Sequence, residues 1–250
     1  MNTVLDFAIP EKTELLKTLY NYVENTYKVY PLACKPGCSL CCTQKIFATS
    51  IEAYYILDIL TETDLERLFQ IKNYLRPKLT HNQILLCYKE GSEPSLEEFS
   101  EILDPCPFLT EENLCKIYER RPLMCRIMAS AVPCEKGYAE LPPFLFQVST
   151  IALQLAENID IGGLYGNILD LLKFLYKYKK GSAEEIPDYL LNTIEVDELP
   201  ILPEERELKK WVGNLYRTPI SKDFTFRELL QKLREEFKKY EILSFLKEIF

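Results

Sequence analysis

Eight of the nine cysteines in this 250-residue chain stand in two groups, Cys34, Cys38, Cys41 and Cys42 in the first and Cys106, Cys115, Cys125 and Cys134 in the second. Sulfurs two or three residues apart on a short loop converge on one soft ion far more readily than they close unstrained disulfides. A fold that uses all eight has to bring the stretches 34–42 and 106–134 together, and the chemistry of the chain is expected where they meet. Eight thiolates satisfy two tetrahedral zinc sites, two four-iron clusters, or one cluster with ligands left for a second metal. Cys41 and Cys42 are adjacent, so their side chains leave the backbone in different directions, and both are not expected on one mononuclear ion. The plain alternative is a set of buried apolar cysteines, which the clustering disfavours.

The remaining composition narrows the class. An apolar fraction of 47% with 27% charged residues supports a real core without disulfides. The opening MNTVLDFAIPEKTE lacks the basic start and apolar run of a secretory signal, so a cytoplasmic protein is expected. The longest apolar stretch, Phe144 to Leu155, is broken by Gln147, Ser149 and Gln154 and is too short to cross a bilayer. A formal charge of -8, made more negative by metal-bound thiolates, repels a phosphate backbone. Neither nucleic acid nor a membrane is expected as partner, whereas a protein substrate is compatible.

The expected fold class is mainly α: a helical domain with a cysteine-rich metal-binding loop and a short β-hairpin. Leu15, Leu16, Leu19, Tyr22, Val23 and Tyr27 recur at helical spacing, predicting an amphipathic helix over 11–30 that stops at Pro31. The first cysteine loop follows, curved by Lys35-Pro36-Gly37. Capping boxes at Thr49/Glu52, Thr63/Glu66, Ser95/Glu98, Ser182/Glu185 and Thr225/Glu228 each predict a helix start. Phe108-Leu109 and Cys115 to Tyr118 flank a polar turn and predict the hairpin, after which Arg121-Pro122 opens a helix with Cys125 in its first turn. Beyond Leu141 the pattern stays helical, with two last helices over 204–217 and 225–249. The expected organisation is a cysteine-cluster region over 1–140 and a helical region over 141–250 packed on it, or one continuous domain.

Other residues are weighed against plainer roles. Arg126 and Arg121 either stabilise neighbouring thiolates or cap carbonyls and pair with acids such as Glu119. Tyr118 is expected as a packed strand residue. The run from Asp160 to Asn167 is expected as a turn between helices that uses glycine at positive φ. His81 is assigned to a turn with a surface or capping role, and Cys87 to buried apolar packing. No nucleophile elbow, phosphate-binding loop or suitably placed histidine is present, so a conventional hydrolase is disfavoured.

The segment Cys34-x3-Cys38-x2-Cys41 also matches the spacing with which radical S-adenosylmethionine enzymes hold a four-iron cluster, but its helical flanks disfavour their partial barrel. Taken together, Cys34, Cys38, Cys41 and Cys42, CPFL at Cys106 to Leu109, C-x-I-Y at Cys115 to Tyr118 and R-P-x2-C-R at Arg121 to Arg126 resemble the YkgJ-type cysteine-cluster family of zinc- or iron-chelating CxxCxxCC proteins. That family includes flagellin lysine N-methylases. The resemblance covers about residues 34–134 and implies bound iron-sulfur or zinc. It further implies an S-adenosylmethionine-dependent protein-lysine N-methyltransferase, with a non-catalytic, zinc-stabilised interaction module as the alternative. The first gap here is three residues where the family label has two, and the chain is shorter than a full flagellin methylase.

Overall fold

The computed structural model describes residues 4–72, 74–95, 104–134, 138–182 and 185–249. Among these the chain is mainly helical, with nine α-helices and one small three-stranded antiparallel sheet. Helix α1 spans Ile9–Tyr27, starts with proline in its first turn, and buries Leu15, Leu16, Leu19, Tyr20 and Val23 on one face. It unwinds ahead of Pro31, earlier than residue 30, because the residue before a proline is driven out of the helical region and Lys28 to Tyr30 turn off first. Strand β1 (Phe47–Thr49) runs into α2 (Ser50–Leu57), whose start is the expected Thr49/Glu52 capping box.

Helix α3 (Glu62–Gln70) begins two residues before the expected position. Thr61 and Asp64 form the box there, with the Asp64 carboxylate accepting from the Thr61 N–H at 3.0 Å. Helix α4 (His81–Lys89) has an unforeseen box of Thr80 and Gln83. Helix α5 (Leu123–Ile127) is only five residues long, then α6 (Pro143–Ile159), β2 (Leu164–Asn167), α7 (Ile168–Lys179), β3 (Leu191–Asn192), α8 (Arg206–Arg217) and α9 (Phe226–Ile249) follow. The Thr225/Glu228 box opens α9 as expected. Ser182 does not open a helix: its N–H closes the end of α7 on the Lys177 carbonyl at 2.9 Å, and Glu185 lies in a bend. Glu98, the partner expected for Ser95, lies outside the described residues. No described helix is long and apolar enough to cross a membrane.

The sheet has order β1-β2-β3, with Ala48 opposite Gly166 and Tyr165 opposite Leu191. The glycine-containing run after α6 is therefore only half a turn. Gly162 takes φ +70° to reverse the chain, and Leu164–Asn167 becomes the central strand. A Cβ at Gly162 would stand 2.3 Å from the Phe237 ring.

Two apolar clusters form the core. One gathers α1, α5, α6, α8 and α9 around residues such as Leu19, Leu145, Leu155, Trp211 and Phe226. The other joins β1, α2, α3 and α7 with Phe108 and Ile117. A buried ion pair ties the N-terminus of α1 to the end of α6: Lys12 Nζ, with no exposed surface, lies 3.2 Å from Asp160 Oδ1 and donates to the Ile161 carbonyl at 2.7 Å. The other Asp160 oxygen accepts from Ser50 Oγ at 2.6 Å and from the Ile51 N–H at 3.0 Å, locking the start of α2 to the same point.

Candidate metal centre

The first cysteine loop owes its shape to Gly37, which takes φ +84°. The turn closes with the Cys38 N–H on the Lys35 carbonyl at 3.0 Å, and a second turn closes with the Cys42 N–H on the Ser39 carbonyl at 2.9 Å. Past Cys42 the chain pairs with the second cysteine group. Thr43 bridges Pro105 in antiparallel sense, the Gln44 N–H donates to the Asp104 carbonyl at 3.0 Å, and the Cys106 N–H donates to the Cys42 carbonyl at 2.9 Å.

The hairpin after Cys106 is present in abbreviated form. Leu109 bridges Cys115, the Thr110 N–H donates to Leu114 and the Lys116 N–H to Phe108, both at 2.8 Å, and Asn113 takes φ +59° at the tip. Phe108 and Ile117 drive it into the second apolar cluster, each burying all but 4% of its surface. Helix α5 is fixed from outside, since its Leu123 N–H donates to Glu52 Oε1 at 2.7 Å and its Met124 thioether accepts from the Phe47 N–H at 3.2 Å. The strap leading to Cys134 is held to the first loop by the Ala33 N–H on the Ser130 carbonyl at 2.8 Å.

All nine cysteines are free thiols. Cys106, Cys115 and Cys125 pack against the second apolar cluster, whereas Cys34, Cys38 and Cys134 line an open surface cleft of ≈ 320 Å³. Cys34 and Cys41 are exposed and the others half-buried. Cys87 is half-buried on α4, apart from both groups. The Cys41 thiol donates to the Cys42 sulfur, which holds Cys42 below the ordinary thiol range and pushes Cys41 above it. Burial pushes Cys106 up to about 11, partly offset by the Phe108 N–H aimed at its sulfur. The same pattern recurs at Cys115, raised by burial and relieved by the Ile117 N–H and the Arg121 charge. Burial and the charges of Cys106, Cys115 and Cys41 raise Cys125. Cys34 is raised by burial, relieved by the Ser130 N–H, and pushed further by Cys38, Cys41 and Cys134.

Arg126 takes the plainer of its two expected roles, whereas Arg121 takes both, its charge also favouring the Cys115 thiolate. Arg126 is buried and donates to the carbonyls of Arg121 and Glu119, both at 2.8 Å, while its guanidinium pairs with Glu24 and lies 4.0 Å from the centre of the Tyr20 ring. Arg121 donates to the Tyr118 carbonyl and to Glu24. They clamp the segment 118–127 onto α1. Tyr118 is not a packed strand residue but 57% exposed, with Arg121 over its ring. His81 is not a surface residue either: its Nε2 shares a hydrogen bond with the Tyr165 hydroxyl at 3.0 Å, and burial depresses its pKa to about 4. The amides of Phe108 and Ile117 escaped sequence reading, although both occur at the same offset, Cys-x-apolar, which repeats across the hairpin.

The donor chemistry fits a thiophilic metal: free thiols on facing segments, three of them with a backbone N–H directed at sulfur, which stabilises the thiolate form. Among the described residues no three His, Cys, Asp or Glu side chains are already closed around one point. Residues 33–144 match the CxxCxxCC family model, described as a "putative zinc- or iron-chelating domain". No curated protein and no solved structure matches the chain.

Proposed function

Taking residues 33–144 as a zinc- or iron-chelating domain of the CxxCxxCC family, we propose that the protein holds iron, as an iron-sulfur cluster, through thiolates drawn from Cys34, Cys38, Cys41, Cys42, Cys106, Cys115, Cys125 and Cys134. The observation that carries this reading is the backbone pairing of Cys42 with Cys106, which sets two groups far apart in sequence side by side. Iron is favoured over zinc because part of the set rests against an apolar core, where a cluster is shielded from solvent. Such a cluster supplies an electron-transfer or Lewis-acid centre. The chain's own residues do the rest: the Phe108, Ile117 and Ser130 amides stabilise sulfur charge, and Glu24, Glu52, Arg121 and Arg126 fix the segment that carries Cys125.

The activity we attach to this centre is S-adenosylmethionine-dependent N-methylation of protein lysine, supported by the kinship of the motifs with flagellin methylases. Elemental analysis and an absorption spectrum on protein purified without oxygen test the first part. Iron with matching sulfide and a broad visible band is expected; stoichiometric zinc without that band replaces the cluster by a zinc-stabilised interaction module. Equilibrium dialysis with S-adenosylmethionine tests the second part, and absence of donor binding to the metal-loaded chain removes the methyl-transfer reading.

A further inference from the structure

The eight clustered cysteines are not placed alike. Cys106, Cys115 and Cys125 belong to a hairpin and a short helix seated on the second apolar cluster, and Cys42 is joined to them by the hydrogen bond from the Cys106 N–H. Cys34, Cys38 and Cys134 instead line the open cleft, together with Gly37, Leu40 and Val132, and none of the three packs on either apolar cluster. The cleft has its own scaffold, made by the Ala33 to Ser130 hydrogen bond and by the Ser130 hydroxyl, which donates to the Val132 carbonyl at 2.6 Å and accepts from the Glu140 N–H at 3.0 Å. Cys41 stands between the two sets, with its thiol on Cys42.

We infer that the chain carries two separate thiolate sites, a recessed one from Cys42, Cys106, Cys115 and Cys125 and an outer one from Cys34, Cys38 and Cys134 with Cys41 at the boundary, the outer site taking a divalent thiophilic cation such as zinc. This rests on the metal-binding reading above and assigns its ligands. Three thiolates at an open cleft leave a coordination position for solvent or an incoming ligand, and an ion there exchanges faster than one held against the core.

The test uses the full chain in two measurements, metal content as purified without oxygen and Co²⁺ titration after chelation, read by sulfur-to-cobalt charge-transfer absorption. Wild type is compared with the triple variant Cys34→Ser, Cys38→Ser, Cys134→Ser, which alters only the cleft, and with Cys125→Ser. We expect about two Co²⁺ per wild-type chain and about one in the triple variant with the recessed-site spectrum kept. Cys125→Ser, which can also weaken packing, is expected to keep the outer-site spectrum. A single equivalent in wild type, or loss of both equivalents in the triple variant, overturns the division and leaves the metal-binding reading standing. Absence of metal both as purified and on titration overturns that reading and the division with it.

Discussion

Glu52 on α2 accepts a hydrogen bond from the backbone N–H of Leu123, the first residue of α5, at 2.7 Å. The same carboxylate accepts from the Tyr20 hydroxyl at 2.8 Å and from the Thr49 N–H at 2.8 Å, all in the buried interior. One capping residue thus serves two helices, its own and the one that carries Cys125. Glu52→Ala strands several buried donors, so a loss of about 3 kcal/mol is expected in urea unfolding. Cys125 should react faster with a thiol reagent in that variant, whereas Glu52→Gln, which keeps an acceptor, should sit between it and wild type. Equal Cys125 reactivity in Glu52→Ala would show that α5 is held by other contacts.

Lys12 and Asp160 form an ion pair with almost no solvent contact. Removing one partner leaves a buried uncompensated charge, so Lys12→Met is expected to destabilise by about 3–5 kcal/mol. Adding Asp160→Asn removes that charge, and the double variant should be less destabilised than Lys12→Met alone. Chemical denaturation of the three proteins decides it; strictly additive losses would mean that the two side chains are not coupled.

His81 and Glu157 meet at the N-terminus of α4 and pull the pH profile in opposite directions. Burial lowers His81 from 6.5 to about 4, so its contribution is complete above pH 6.5 and is lost as pH falls through 4. Burial raises Glu157 from 4.5 to about 7, although its carboxylate accepts the Asn82 N–H at 3.0 Å; that contribution is complete below pH 4.5 and is lost as pH rises through 7. Between these limits the two slopes oppose each other. His81→Gln should therefore give a protein that weakens from pH 4.5 to 7, and Glu157→Gln one that strengthens from pH 4 to 6.5. Urea midpoints across this range check both signs, and parallel profiles for the two variants would contradict the assignment.

Metal removal should act locally. The loop 31–45 and the hairpin after Cys106 rely on few backbone hydrogen bonds, whereas α6 and α7 bury residues such as Leu145, Leu155, Leu169 and Leu172 completely. Chelation is expected to speed amide exchange at Cys106, Leu109 and Lys116 several-fold while α6 and α7 keep their protection. Uniform loss of protection throughout the chain would instead make the metal a condition for the whole fold.

The helices were largely legible because the code for them is local. Thr49/Glu52 and Thr225/Glu228 each declare an end, and the apolar stripe of α1 declares a face. At α3 two overlapping signals compete, Thr61/Asp64 and Thr63/Glu66, and aspartate proved as good a partner as glutamate. The sheet was not legible. Its strands have three, four and two residues, and β2 is buried on both faces, so no alternation marks it. The cysteines advertise a metal site by number and spacing, but their division between a cleft and the core depends on Phe108, Ile117 and Ser130, of which only the first two leave a sign in the sequence, the repeated Cys-x-apolar offset. Arg126 beside Cys125 misleads for a related reason. Neighbours in sequence on a helix point different ways, and its guanidinium turned to Glu24.

The pairing of Cys42 with Cys106 also has a topological consequence. Between these residues lie β1, α2, α3 and α4, so an ion shared by the two sulfurs would clasp four elements within one closed ring of chain. In the chain-entropy picture a cross-link spanning a ring of this size is worth on the order of 4 kcal/mol, comparable to a disulfide. Ligand exchange alone, without oxidant or reductant, would open and close such a clasp, and the amino-terminal half of the molecule would be fastened by the supply of metal.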